Sequence, residues 1–177
     1  DINKDFNKLC VLIKKEKPEY IINFAAQGMV NESWDKPLDW YSTNFISHVK
    51  LFEFLKSKKF LKKYVHFTTP EVYGNLKDWK KESFIFSPST PYALSRAASD
   101  IHLKNLFEEY NFPVIFTRAA NVYGEGQQLY RIVSKSILSF RLGKSIELHG
   151  GGNSIRSFIH IDDVSSALYK IIKNGKL

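Results

Sequence analysis

Three short apolar runs constrain most tightly what this chain of 177 residues can fold into. They are Tyr20 to Ala25 (YIINFA), Tyr64 to Thr69 (YVHFTT) and Pro113 to Ala119 (PVIFTRA). Each has the length of one strand, and near-continuous apolarity marks strands that are covered on both faces. Between them lie stretches with helical spacing. Phe6, Leu9, Cys10 and Ile13 share one face of a helix ending near Lys17–Pro18, and Phe45, Val49, Phe52 and Leu55 share one face of a helix over Leu38 to Lys58. A third helix is expected over Tyr92 to Tyr110. Strands that alternate with helices pair in parallel through crossovers, so the expected class is α/β with a doubly wound parallel sheet.

Beyond the third strand the pattern shortens. Leu129 to Leu142 reads as a helix closed by Gly143. Ser145 to His149 and Ser157 to Ile161 read as short strands around the turn Gly150-Gly151-Gly152-Asn153, and Asp162 is placed to cap a last helix through Ile172. Pro70 to Pro91 reads as a long loop, a kind of segment that compact domains keep for function. In doubly wound sheets ligands sit beyond the carboxyl ends of the strands. Those ends are Ala25-Ala26-Gln27, Thr68-Thr69-Pro70-Glu71 and Arg118 to Asn121, and they hold the polar residues.

Composition removes several alternatives. The apolar runs are far too short for a membrane helix, so no membrane partner is expected. A single cysteine, Cys10, permits no internal disulfide and points to a reducing, cytoplasmic setting. The five histidines lack ligand-like spacing, so no metal is expected, and no Gly-x-Ser-x-Gly elbow exists for a serine hydrolase. The net charge of +8 raises nucleic-acid binding, but its lysines cluster at a helix end (Lys56, Lys58, Lys59, Lys62, Lys63) without a basic–aromatic motif. No nucleic-acid partner is expected. Gly124-Glu125-Gly126 lacks the third glycine of a dinucleotide fingerprint, since Leu129 stands there. Asn31-Glu32-Ser33 matches a glycosylation acceptor only by pattern. All five arginines (Arg96, Arg118, Arg131, Arg141, Arg156) fall in the second half, where a planar fork suits a phosphate.

The residues with chemistry are Thr69, Glu71, Tyr92 and Arg96. Tyr92 and Arg96 lie one helical turn apart. A fixed cation beside a tyrosine favours the phenolate and lets it act as a base, and a Thr69 hydroxyl can hold the same substrate oxygen. Taken alone, that pair is also what an ordinary exposed helix face offers.

The pair has company. Asn23-Phe24-Ala25-Ala26-Gln27, Thr43-Asn44, Thr69-Pro70-Glu71-Val72-Tyr73-Gly74, Pro88 to Arg96 (PSTPYALSR), Arg118 to Gly124 (RAANVYG) and Gly151 to Val164 (GGNSIRSFIHIDDV) follow one another in order. In this ordered set the chain resembles the extended short-chain dehydrogenase/reductases, and among them the NAD-dependent nucleotide-sugar dehydratases and epimerases. It is most similar to the dTDP-glucose 4,6-dehydratases.

The resemblance implies a partial Rossmann-type sheet over residues 1–128 that binds NAD. Over residues 129–177 it implies substrate-domain segments interleaved with returning Rossmann segments, the start of a smaller C-terminal substrate-binding region. Thr69, Glu71, Tyr92 and Arg96 are the implied catalytic residues. Asp1, Ile2, Ala25, Ala26, Gln27 and Thr68, with Tyr92 and Arg96, would border the cofactor; Asn121 and Arg156 would hold the nucleotide diphosphate of a nucleotide-sugar substrate. Tyr92 would take the proton of the sugar 4-hydroxyl and Glu71 the proton beside the resulting ketone. Family members are commonly homodimers through the helix holding Tyr92 and the one before it.

Two residues depart from the family. Arg96 replaces a lysine, keeping the charge on a wider fork. Pro70 replaces the aspartate that in dTDP-glucose dehydratases protonates the departing hydroxyl. An epimerase, decarboxylase or reductase of the same family therefore stays open beside the dehydratase, as does a degraded binding homologue. The chain starts at Asp1, its only methionine is Met29, and it has no glycine-rich strand-to-helix turn. It is therefore expected to be a segment of a longer enzyme, with no turnover by itself.

Overall fold

A computed structural model of the chain describes residues 1–76, 78–153 and 155–176. It divides into two units, Asp1–Arg118 with the last residues from Asn174, and Ala119–Lys173.

The first unit runs α1 (Phe6–Glu16), β1 (Tyr20–Asn23), α2 (Pro37–Tyr41), α3 (Ser47–Lys56), β2 (Lys63–Thr68), α4 (Pro91–Tyr110) and β3 (Val114–Arg118). The strands form a parallel sheet in the order β1-β2-β3, with Ile22 opposite Val65 and Val65 opposite Ile115. Parallel neighbours need long crossovers, which α2 with α3, and then α4, supply. The parallel α/β expectation therefore holds. α1 stops where Lys17 turns left-handed at φ 45°, one residue before Pro18.

Helical spacing directs Ile13 of α1, Leu51, Phe52 and Leu55 of α3, and Leu103 and Leu106 of α4 into one core with Leu61, Tyr64, Phe112 and Val114. Phe52 is its centre, fully buried against the rings of Tyr64, His66 and Phe112. Truncating such a phenylalanine costs about 3–5 kcal/mol. The first half of α4 is different. It buries Ser95, Arg96, Ser99 and Asp100 among the small Ala93 and Ala97. Burying so many polar groups is costly unless each is partnered, which marks that half-helix as functional.

In the second unit β4 (Asn121–Tyr123) pairs in parallel with β5 (Phe158–His160), and α5 (Ile132–Arg141) and α6 (Ile161–Asn174) complete it. Gly143, at φ +64°, closes α5 as expected: Lys144 N–H bonds Ser139 O at 2.9 Å and Gly143 N–H bonds Phe140 O at 3.1 Å.

Four expectations are corrected. Leu38 to Lys58 is not one helix: a π-helical turn, Ser42–Ile46, separates α2 from α3. Ser145 to Leu148 forms no strand, and His149–Gly152 makes a 3-10 turn. The strand partner of β5 is β4, a three-residue element too short to show a period of two. Finally, α6 begins at Ile161, so Asp162 sits in its first turn, where its charge faces the helix dipole, and is not the cap.

Candidate active site

The site is built from the ends of β1 and β2 and the start of α4. After β1 the chain turns through Ala25, Ala26 and Gln27, and buried side chains hold the backbone of that turn. Asn23 Oδ1 accepts the Ala25 N–H at 2.9 Å, and His48 Nε2 bonds Ala25 O at 2.8 Å. Trp40 Nε1 donates to Gly28 O at 2.8 Å. Asn44 contributes most. Its Oδ1 accepts the Gln27 N–H at 2.7 Å, and its Nδ2 donates to Gln27 O at 2.9 Å and to Ser95 Oγ of α4 at 3.1 Å. The π-helical turn is what places this fully buried amide between the β1 loop and α4. Thr43, beside it, donates to Gln27 Oε1 and accepts from Asn3 Nδ2.

Asn44→Ala should leave the Gln27 amide and carbonyl and the Ser95 hydroxyl without that partner. A loss of about 2–4 kcal/mol in urea unfolding is expected. Asn44→Asp, which retains the acceptor but not the donor, should lose nearly as much.

His48 has one resolvable tautomer. Ala25 O can only accept, so Nε2 carries the proton. Asn23 Nδ2, 3.5 Å from that nitrogen, therefore finds no lone pair there and donates to Tyr64 Oη at 2.7 Å. Burial, then the charges of His66 and Arg96, push His48 down to about 3 from 6.5, with the Ala25 bond opposing. Burial also lowers His66, against the pull of Asp100. The unfolded chain protonates these histidines near pH 6.5, while folded His48 resists until about pH 3. The contribution of His48 is thus complete above pH 6.5 and is lost as pH falls toward 3, at about 1.4 kcal/mol per pH unit, and that of His66 is lost in the same direction. Urea unfolding of His48→Asn should show a pH slope shallower by about one proton between pH 6 and 4. An unchanged slope would contradict the neutral buried imidazole.

At the end of β2, Thr69 caps a 3-10 turn, Pro70–Tyr73, by accepting the Glu71 N–H on Oγ1 at 3.3 Å. That leaves the Thr69 hydroxyl proton available to a ligand. Pro70 fills the first position of the turn, where a fixed φ and a missing N–H carry no cost. Glu71 is half-buried. Gly74 follows at φ +73°, and a Cβ there would collide with Ser87 O.

α4 starts at Pro91, one residue before the expected start, with Thr90 Oγ1 accepting the Ala93 N–H at 3.1 Å. Tyr92, half-buried in the first turn, gives its N–H to the buried Ser33 Oγ at 3.2 Å. Arg96 is 2% exposed and donates from Nη2 to Phe67 O of β2. Burial lowers its basicity; Tyr92, Asp100 and Tyr64 restore part of it. Its Nε and Nη1, with Thr68 Oγ1, are buried without hydrogen-bond partners.

Among the cofactor candidates, Asp1, Ile2 and Ala25 line one groove of about 500 Å³ with Asn23, Phe24 and Ile22. Ala26, Gln27 and Thr68 are not in its lining. The groove is mostly apolar, with Asp1, Asp5 and Lys8 as its charged lining, and Thr68 and Arg96 hold unsatisfied polar atoms at the next strand end. An apolar trough for a flat base and unpaired groups for hydroxyls suit a dinucleotide. Asn121 and Arg156 lie in the second unit, both exposed, with Asn121 Nδ2 donating to Ser157 O at 2.9 Å. Among the described residues no cluster is able to hold a metal ion, and no helix is long and apolar enough to cross a membrane.

Two groups went unassigned in the sequence: Asn44, legible only as part of the Thr43-Asn44 pair, and the Asp100–Arg118 ion pair at 2.8 Å.

A parallel α/β sheet with polar residues at the carboxyl ends of its strands is of the class of fold that takes nucleotide ligands there. The chain belongs to the NAD dependent epimerase/dehydratase family, whose profile matches residues 3–177. It is 32% identical over 168 residues to the human dTDP-D-glucose 4,6-dehydratase, covering 94% of this chain and 47% of the human one. Among solved structures it matches dTDP-glucose 4,6-dehydratase from Bacillus anthracis in complex with NAD (TM-score 0.86, 29% identity, 100% of this chain and 54% of that one). It also matches UDP-glucose 4-epimerase with UDP-glucose from Thermotoga maritima (TM-score 0.85, 27% identity, 94% and 55%). The chain spans about half the length of the curated relatives it matches.

Proposed function

We propose that the protein is an NAD-dependent nucleotide-sugar 4,6-dehydratase acting on a nucleotide-linked glucose. The observation that carries this reading is Glu71, set by the Thr69-capped turn at the same strand end that Arg96 binds through Phe67 O. A carboxylate there suits the removal of a proton from the carbon beside a ketone formed at Tyr92. The family and its relatives support it, as do the groove at Asp1 and the unpaired atoms of Thr68 and Arg96.

NAD, bordered by the residues named below, would supply reversible hydride transfer at sugar carbons 4 and 6. Tyr92 takes the 4-hydroxyl proton as the carbonyl forms. Thr69 donates its free hydroxyl proton to the same oxygen and holds it as the bond order rises. Glu71 takes the carbon 5 proton, the carbon 6 hydroxyl leaves as water with the proton first taken by Tyr92 and passed on through solvent, and Glu71, after exchange with solvent, returns a proton to carbon 5. The sum is loss of one water, with no net oxidation. Asp1 and Ile2 would border the adenine and Ala25, Ala26 and Gln27 the rest of the dinucleotide, while Asn121 and Arg156 would hold the substrate diphosphate. A homodimer through α4 and the helix before it is supported by the exposed Leu94 and Ile101 of α4. A cytoplasmic setting fits the lone thiol and a nucleotide-sugar substrate.

Pro70 favours a second reading, an epimerase or decarboxylase, because no acid stands between Thr69 and Glu71 to protonate a leaving hydroxyl. The two are separated by incubating the full-length protein and NAD with dTDP-glucose, UDP-glucose, GDP-mannose and UDP-glucuronate. A 4-keto-6-deoxy chromophore without net NADH supports the dehydratase. Carbon dioxide or a 4-epimer without that chromophore overturns it.

A further inference from the structure

Arg118 ends β3 with its guanidinium enclosed by four aromatic rings. Its Cζ lies 5.3 Å from the ring centre of Phe86, 5.5 Å from those of Tyr73 and Phe84, and 5.7 Å from that of Phe116. Its Nη2 donates to Asp100 Oδ2 of α4 at 2.8 Å, and the Asp100 carboxylate is fully buried, with His66 Nε2 3.3 Å from its other oxygen. Three of the rings belong to the segment after β2. Tyr73 closes the turn that carries Glu71, and Phe84 and Phe86 stand on a stretch with no regular structure. Among the described residues that stretch is also held by Ser83 N–H to Tyr73 Oη at 3.1 Å, Tyr73 Oη–H to Ser83 O at 3.0 Å, Ser87 N–H to Val72 O at 3.0 Å, and the packing of Phe86 against Val72, Tyr73 and Ala97. Asp100 stands two turns after Tyr92 and one after Arg96 on α4. One guanidinium therefore joins the segment of Glu71 to the helix of Tyr92 and Arg96.

We infer that Arg118 is a positioning residue that holds the Glu71 turn in register with α4, through its ring enclosure on one side and Asp100 on the other. The inference rests on the role proposed above for Glu71. The planar fork matters: a delocalised cation lays its flat faces against several rings while its edge presents N–H groups to a carboxylate, whereas a lysine ammonium is a compact point charge that covers less ring surface. Each ring contact is modest, so the hold comes from their sum.

The test uses the full-length protein with Arg118→Lys and, as a variant that retains the ion pair, Phe86→Leu. Amide hydrogen exchange is read over residues 71–76 and 82–87, against 64–68 and 114–117. Both variants are expected to speed exchange in the first two stretches at least about 10-fold and to leave the strands within about 2-fold. A single turnover with NAD and dTDP-glucose is then followed at 340 nm. Oxidation at carbon 4 should keep its rate while Glu71 removes its proton about 10–100-fold more slowly, so absorbance builds up transiently in Arg118→Lys but not in the parent. Unchanged exchange at the Glu71 turn overturns the inference, as does equal acceleration in the strands or equal slowing of both steps. If the parent itself forms no product from any nucleotide sugar, the dehydratase reading fails, and the exchange result still decides the hold on the turn.

Discussion

Tyr92→Phe in the full-length protein is expected to lower kcat at least about 10³-fold while leaving KM within about threefold. The substitution removes one oxygen and leaves the ring, so packing at the start of α4 changes little. What disappears is the phenolic oxygen of the first turn of α4, one helical turn before the buried Arg96. A positioned base contributes about 10²–10⁴-fold, and its loss from the transition state lowers kcat and kcat/KM together. The positive end of the α4 dipole and the Arg96 guanidinium both favour negative charge beside them. A Tyr92→Phe enzyme that keeps more than a tenth of its turnover would remove Tyr92 from the chemistry. Steady-state formation of the 4-keto product, with NAD affinity measured separately by fluorescence, makes the distinction.

The second large effect falls on a different step. Glu71→Gln retains shape and hydrogen-bonding capacity on the 3-10 turn but cannot take a proton. Overall turnover should fall about 10³-fold, yet oxidation at carbon 4 should still proceed, since Tyr92, Thr69 and Arg96 are untouched. Reduced nicotinamide should then accumulate at 340 nm to nearly one equivalent per site. In deuterated water the parent should place deuterium at carbon 5 of the product, and substrate recovered from the variant should carry none. If both oxidation and elimination stop in Glu71→Gln, Glu71 serves binding or folding and the base must be sought elsewhere.

Pro70 has two aspects that the linear pattern could not separate. As chemistry it is a loss, since it provides no proton for the leaving hydroxyl. As structure it is well placed, at the first position of the turn that presents Glu71. Arg96 is similar: it retains the charge of the family's lysine and spends one of its N–H groups on Phe67 O.

Much of this protein was legible before any coordinates. The parallel sheet followed from the three apolar runs and the helical stretches between them, because periodicity is a local property of the chain. Thr69 with Glu71, and Tyr92 with Arg96, were legible for the same reason: each pair is two or four residues apart on one element. Local signals also placed the glycine closing α5 and the end of α1 before Pro18.

What tertiary structure alone decided lies between residues far apart in the chain. The Leu38 to Lys58 pattern is apolar at helical spacing throughout, and nothing local announces the π-helical turn. That turn has meaning only because it puts Asn44 between Gln27 and Ser95, 17 and 51 residues away. The strand expected at Ser145 to His149 had the right residues but pairs with no strand among the described residues, and strands exist only by pairing. Arg118, grouped in the sequence with arginines suited to a phosphate, instead pairs with the buried Asp100 of α4, a charge the sequence left unremarked. By itself the sequence determined the order of elements and the local chemical pairs, since both depend on near neighbours. Only the tertiary structure decided which polar groups are buried and which loops are held in place, since both depend on contacts between distant parts of the chain.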